Sequence, residues 1–436
     1  NTVELNSAVD VEFENVTIYA GTYGLRARGT GPLKFVNSAI HGNIPPWGFR
    51  VENSLHGASP AQQAPFAVPE GTSYPGRNVA RLNTHAVLVT EGSYEFEVFY
   101  YPHNHDREIA YSEFTDGHDG IYLSGHGVRF HHNHVHRFQD DAIYLSAPSP
   151  WHNDDIHIYQ NLIRHVGMAF GMHTRGCPEG RIYIYRNICD QREGVNWHRP
   201  SDKDPRGHVF SNLPLVIHGR KFLGSESIYV YHNLFVSPNR GGSLAYGALT
   251  ARNHESTSRW VMNNIMVYLP TANRQWPFRG GGLRGNPSPL SSDIILDGNI
   301  HWCPDPKVPV PENFMERIRQ VEGGDFASRY PHAWETQGQA VDPEFTAFST
   351  DPTAVNDYHL RPDSPAIGAG ARLPALLEQT GTGDERIGSL PDVEAYRSAK
   401  ERRPDVGPVP FGVKQLNVGR HGHVDALRFT PSQAPR

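Results

Sequence analysis

Apolar and polar residues alternate in short runs along the middle of the chain, and the runs recur with an asparagine at a fixed place. Val128, Phe130, Asn133 and Val135 form one set; Ile156, Ile158, Asn161 and Ile163 form the next. The set returns as Ile182, Ile184, Asn187 and Ile188, then as Ile228, Val230, Asn233 and Phe235, with weaker copies ending at Asn264 and Asn299. An earlier pair runs through Val11, Phe13 and Asn15 and through Leu33, Phe35 and Asn37. Each set is followed by a second short alternating run: Gly120 to Ser124, Ala142 to Ser146, Ala169 to His173 and Gly194 to His198. A period of two marks strands, not helices. The clear asparagine steps are 28 and 26 residues.

Repeats of roughly 20–30 residues built from strands predict an all-β fold, a single-stranded right-handed parallel β-helix or solenoid, in which each coil buries its inward side chains against its neighbours. The recurring asparagine suits a bend that needs left-handed backbone geometry, with its amides stacked in a ladder. The helix-like coils are expected over residues 1–302, interrupted by a Pro/Ala/Gln-rich loop at about 58–75. Residues 303–436 are expected to form a short helix, with its best pattern from Pro311 to Val321, and an irregular tail wrapping the solenoid. The chain opens almost inside a coil, so an N-terminal cap is either absent or lies upstream of residue 1, where a further segment or domain has room.

Composition narrows the classes. The 42 glycines and 35 prolines oppose a helical bundle, and 11% aromatics with a net charge of −6 oppose disorder. Mild acidity gives no reason to expect nucleic acid, and no apolar run approaches the ~20 residues of a membrane span. Three cysteines without a CxxC spacing fit neither a disulfide framework nor a structural zinc site.

Aligning the second runs turns the sequence into columns, with neighbours about 4.8 Å apart. Just ahead of the strand stand Asp119, Asp141, Met168 and Glu193, with Asp140 beside Asp141. At its far end stand Ser124, Ser146, His173 and His198, continued by His218. Crowded carboxylates cannot all ionise with ease, and an acid beside a carboxylate is what glycosidic hydrolysis uses. The plain alternative is that each Asp simply forms a turn before its strand. His173, His198 and His218 read as a structural ladder, as catalytic or substrate-binding imidazoles, or as metal ligands. His132, His134 and His136 share a strand face and read as a polar strip, since three positions along one strand span too far to hold one ion. Arg175, Arg199, Arg220 and Lys221 are positioned to grip acidic sugar or sulfate, and Trp151, Trp197 and Tyr122 offer flat faces for sugar rings; each has the bland reading of solvated surface or packing.

The coil pattern resembles the right-handed parallel β-helix repeats of polysaccharide-active proteins: pectate lyases, polygalacturonases and alginate epimerases. The segment from Asp357 to Gly368 is similar to the closing segment of bacterial β-helix proteins. Thr115-Asp116 through Asp119, followed by Gln139-Asp140-Asp141, is similar to the N-T-D and Q-D-D segments of polygalacturonases, whose aspartates perform inverting hydrolysis. The family's G-H-G histidine would fall near Met168 and its R-I-K pair on Asn196 and His198, so the match stops there and a galacturonate substrate loses support. The resemblance implies a secreted or periplasmic enzyme cleaving a polysaccharide or oligosaccharide with Asp119, Asp140 and Asp141 and requiring no cofactor, while the columns add Glu193, His173 and His198 as the other catalytic candidates. The rival is a lyase or C5-epimerase using a His, Arg or Lys base on a uronate, with Ca²⁺ as the cation of a lyase. A non-catalytic carbohydrate-binding solenoid is the third reading.

Overall fold

The computed structural model describes residues 3–20, 23–29, 31–42, 86–89, 105–117, 119–147, 153–174, 180–192, 213–218, 226–237, 258–269, 294–307, 335–351, 353–373 and 403–429. No α-helix occurs among them; the helix expected at Pro311 to Val321 and the loop expected at 58–75 lie outside them. No helix of the described residues is long and apolar enough to cross a membrane.

The described chain is all-β and is built on two long parallel sheets. A 9-stranded sheet takes β2 (Val11–Glu14), β5 (Leu33–Val36), β8 (His105–Ala110), β11 (His126–His131), β13 (Asp154–Tyr159), β15 (Arg181–Tyr185), β18 (Ser227–Tyr231), β20 (Arg259–Met262) and β22 (Ile294–Asp297), in that order. A 14-stranded sheet has two branches. One runs through β1 (Val3–Asn6), β4 (Tyr23–Arg28), β7 (Ala86–Val89) and β10 (Asp119–Leu123), the other through β3 (Thr17–Tyr19), β6 (Ala39–His41) and β9 (Glu113–Gly117). They meet on β12 (His134–Ala147) and β14 (Leu162–Thr174), which are long enough to serve both. Beyond them lie β16 (Ile188–Asp190), β19 (Leu234–Ser237), β21 (Ile265–Tyr268) and β23 (Ile300–Trp302), with β17 (Leu213–His218) on the other branch. Successive repeats thus feed the same sheets in the same order, as a period of two inside a longer period requires.

The bend between the sheets is built from two residues, and the sequence expectation needs one correction. Left-handed backbone falls on the residue before the asparagine: His132 (φ 54°), Gln160 (55°), Arg186 (57°), His232 (54°) and Asn263 (56°). The asparagine itself projects its amide into the stack. Asn161 Nδ2 donates to Phe130 O at 3.0 Å while its Oδ1 accepts from Asn133 N at 2.9 Å. The same pairing links Asn161, Asn187, Asn233, Asn264 and Asn299 in series. Asn15 and Asn37 occupy the left-handed position instead (φ 59° and 50°), and serines take the ladder place: Ser112 N donates to Asn133 Oδ1 and Ser38 N to Ser112 Oγ. At the other end, the buried Glu335 accepts from Asn299 N (3.1 Å), Asn299 Nδ2 (2.8 Å) and His301 Nε2 (3.1 Å), and His301 Nδ1 accepts from Tyr268 (2.8 Å).

Val128, Phe130, Ile156, Ile158, Ile182, Ile184, Ile228 and Val230 are all buried in one core cluster. Arg107 and Arg259 share register with Val128 and Ile228 and are buried too; burial pushes their pKa values down to about 9 and about 10. The segment 403–429 runs back along the bends: Gly407 N bonds Asn263 O, Arg186 Nη1 bonds Pro408 O, Gly419 N bonds His132 O, and Arg420 Nη1 reaches Thr17 Oγ1. Its Val406, Val409, Val413, Leu416 and Val418 pack on Leu162, Ile188, Leu234, Ile265 and Val267.

Candidate functional site

The face formed by β10, β12, β14 and β17 carries the residues that the sequence columns single out. Ile121 pairs with Ile143 and Leu123 with Leu145, so Asp119 and Asp141, two places ahead, correspond on adjacent strands about 4.8 Å apart. Ahead of Asp141 the register slips. Phe138 pairs with Val166 and Asp141 with Met168, which leaves one more residue on β12 than on β14 and puts Gln139 and Asp140 in a bulge. Bulges re-aim side chains and gather beside active sites. The Asp141 side chain is buried, and its carboxylate lies where a Cβ at Gly171 would stand, beside the Tyr144 ring. Glycine at 171 is what makes room for that carboxylate on the neighbouring strand.

Midway along the same strands the half-buried Tyr122 and Tyr144 pair their rings, centroids 4.8 Å apart and tilted at 57°. At the far end Ser146 pairs with His173 and His173 with His218. Two column assignments are therefore corrected. The neighbour of His173 is His218, not His198, and the neighbour of Met168 is Leu213, not Glu193. The reason is the length of this repeat: Asn187 and Asn233 stand 46 residues apart, and its strand on this face is β17. A sequence period read as constant puts the first apolar run beside His173 and the run ending at His218 one step further on. Five residues separate the level of Asp141 from that of His173, roughly 16 Å along a strand, so the acidic and histidine ends do not meet at one bond.

For Asp119, Asp140, His173 and His218 the backbone is what the structure describes. Glu193, His198, Arg175, Trp151, Trp197, Arg199, Arg220 and Lys221 lie outside the described residues.

A second cluster was not singled out by the columns. On the outer side of β9 and β12, Glu113 Oε1 lies 2.8 Å from His136 Nε2 and 3.9 Å from His134 Nδ1. The two imidazoles stack with centroids 4.1 Å apart at 12°. Arg164 Nε donates to His134 Nε2 at 3.0 Å. Arg137 pairs with Asp116 and donates to Thr115 Oγ1 at 3.1 Å. Burial, reinforced for His134 by His136 and Arg164 and for His136 by Arg164 and Arg137, holds both imidazoles well below the usual histidine pKa. His132 leaves the expected strip: it is the bend residue and stacks on Tyr111 at 4.7 Å. The signal available in the sequence was the matching alternation of Glu113 and Thr115 with His134 and His136 one repeat on, now confirmed as register.

No family model, curated protein or solved structure matches this chain.

Proposed function

We propose that the stacked repeats form a right-handed parallel β-helix and that the face of β10, β12, β14 and β17 binds and cleaves a polysaccharide or oligosaccharide by carboxylate-assisted hydrolysis. Right-handedness follows from the general rule for crossovers between parallel strands. The observation that carries the function is the placement of Asp119 and Asp141 on adjacent strands, with Asp140 in the bulge alongside. One carboxyl protonates the leaving oxygen while its neighbour acts on the other side of the sugar. The separation of the two carboxyls sets the stereochemistry, with ~5–5.5 Å giving retention and ~6.5–9.5 Å inversion. Tyr122 and Tyr144 supply ring faces for the chain beyond the cleavage point. A polymer substrate also places the enzyme outside the cytoplasm or in the periplasm.

A second reading, elimination from a uronate, is favoured by the pairing of His173 with His218 at the opposite end of the strands. An imidazole there would take the sugar proton, with Ca²⁺ offsetting the uronate charge. A panel of polysaccharides separates the readings: hydrolysis raises reducing ends alone, whereas elimination also creates an absorbing unsaturated uronate. Asp141→Asn should lower kcat by about 10²–10⁴-fold with the unfolding midpoint kept. Normal turnover in that variant, or turnover lost only on replacing His173 or His218, would move the chemistry to the histidine end. No turnover on any polymer, with retained binding, would leave a carbohydrate-binding solenoid.

A further inference from the structure

We propose that Glu113, His134 and His136 form a binding site for one divalent transition-metal ion on the outer side of β9 and β12, separate from the Asp119–Asp141 face. Three donor atoms, one from each residue, lie within 4.8 Å of one another. Around a zinc-sized ion with bonds of about 2.1 Å, tetrahedral donors sit roughly 3.4 Å apart. The observed 2.8 and 3.9 Å from Glu113 Oε1 to the two imidazole nitrogens bracket that figure. A second observation points the same way. His134 is buried, and its Nδ1 makes no hydrogen bond although it is turned toward the carboxylate.

The donors are held on rigid elements. His134 pairs in register with Glu113 and Leu162, and His136 with Thr115 and Arg164, so both imidazoles are fixed from two neighbouring strands. Two imidazoles and one carboxylate suit Zn²⁺, Co²⁺ or Ni²⁺, whereas Ca²⁺ and Mg²⁺ call for oxygen donors. The surroundings supply the usual outer partner. When His136 Nε2 takes the ion, its proton sits on Nδ1, which faces Thr115 Oγ1 at 3.5 Å. Arg164 opposes uptake, because its Nε donates to His134 Nε2 and keeps the His134 proton on Nδ1. Binding at Nδ1 moves that proton to Nε2 and turns Arg164 aside, toward the Phe429 ring over which its guanidinium already lies at 5.2 Å. Each imidazole keeps one proton throughout, so none is released. Arg137 also opposes positive charge at His136, and its pairing with Asp116 offsets part of that. With three protein ligands the ion keeps a position for water on the side of Glu113, the most accessible of the three.

The test uses the full chain, treated with chelator and titrated with Zn²⁺ and separately with Co²⁺, following stoichiometry, the cobalt visible spectrum and the thermal midpoint. One tight ion per chain is expected, with a raised midpoint and a spectrum that includes imidazole ligation. Glu113→Gln keeps the shape of the side chain and should weaken binding by at least about a hundredfold. His136→Gln should abolish the tight site. Arg164→Gln should tighten it, by about tenfold. Tight binding retained in Glu113→Gln and His136→Gln, no tight ion in the unaltered chain, or unchanged or weaker binding in Arg164→Gln would each overturn the assignment. None of these readouts depends on polysaccharide turnover.

Discussion

The outer side of the shared sheet divides into a polar half and an apolar half, although the strands are the same kind and continue one another in register. One column reads Glu113, His134, Leu162, Ile188, Leu234, Ile265, Ile300, and the next reads Thr115, His136, Arg164, Asp190, Val236, Val267, Trp302. Both change from polar to apolar partway along. The change coincides with the segments that lie over them: from Leu162 onward the positions pack against Phe345, Tyr358, Val406, Val413 and Leu427. A strand covered on both faces reads as a continuous apolar run, as Leu234–Ser237 and Ile265–Tyr268 do, whereas one facing solvent alternates. The boundary is a polar hub. Asp190 pairs with Arg192 at 2.9 Å and accepts from Tyr358 at 2.6 Å, while Arg192 Nη1 donates to the carbonyls of Ser349, Asp351 and Ala354. The lesson is that the same backbone position is a candidate ligand in one half and a packing residue in the other, according to what lies above it.

The sharpest way to break this comparison is to change the charge of one column at both ends. Leu234→Asp buries an unpaired carboxylate between sheet and tail and should cost more than about 4 kcal/mol in denaturant unfolding. Glu113→Gln, in the same column, should cost less than about 1 kcal/mol. Equal costs would mean that the covering segment contributes nothing.

The two ends of the ladder give a smaller contrast. Glu335→Ala strips acceptors from Asn299 and His301 and should cost about 2–4 kcal/mol, whereas Ser112→Ala should cost about 1 kcal/mol. The difference in unfolding midpoints checks this, and a costlier Ser112→Ala would place the weak end of the ladder at its start.

The smallest expected effect is a pH dependence under the tail. Burial first, and then the charge of Arg186, hold the His232 pKa well below its ordinary value. The unfolded imidazole protonates below about pH 6.5 while the folded one stays neutral, so stability falls as pH drops from that point, by up to about 1.4 kcal/mol per unit. His232→Gln should flatten the slope between about pH 6.5 and 5 by that amount. An unchanged slope would show that His232 is not held neutral.

Much of the fold was legible because it rests on local alternation repeated many times. Ile158 and Ile184 could be assigned inward from their spacing alone, and the asparagine ladder from its fixed place. The bend was misassigned by one residue, because Asn tolerates left-handed backbone and stands at every repeat, whereas Gln160 and Arg186 give no such signal. The aspartate pair was legible within one column, yet the 46-residue repeat hid the partner of His173. The Glu113–His136 contact was harder still, since residues 23 apart meet only once the register of β9 and β12 is known.

By itself the sequence determined the strand character of the chain, the inward positions and the repeated ladder, because a period of two and a recurring amide act between near neighbours in the stack. The tertiary structure alone decided which strands stand side by side, where the bulge falls at Gln139 and Asp140, and which outer positions are covered. Those outcomes depend on insertion length and on segments hundreds of residues away, such as Pro408 against Arg186, and no local pattern encodes a contact made across that distance.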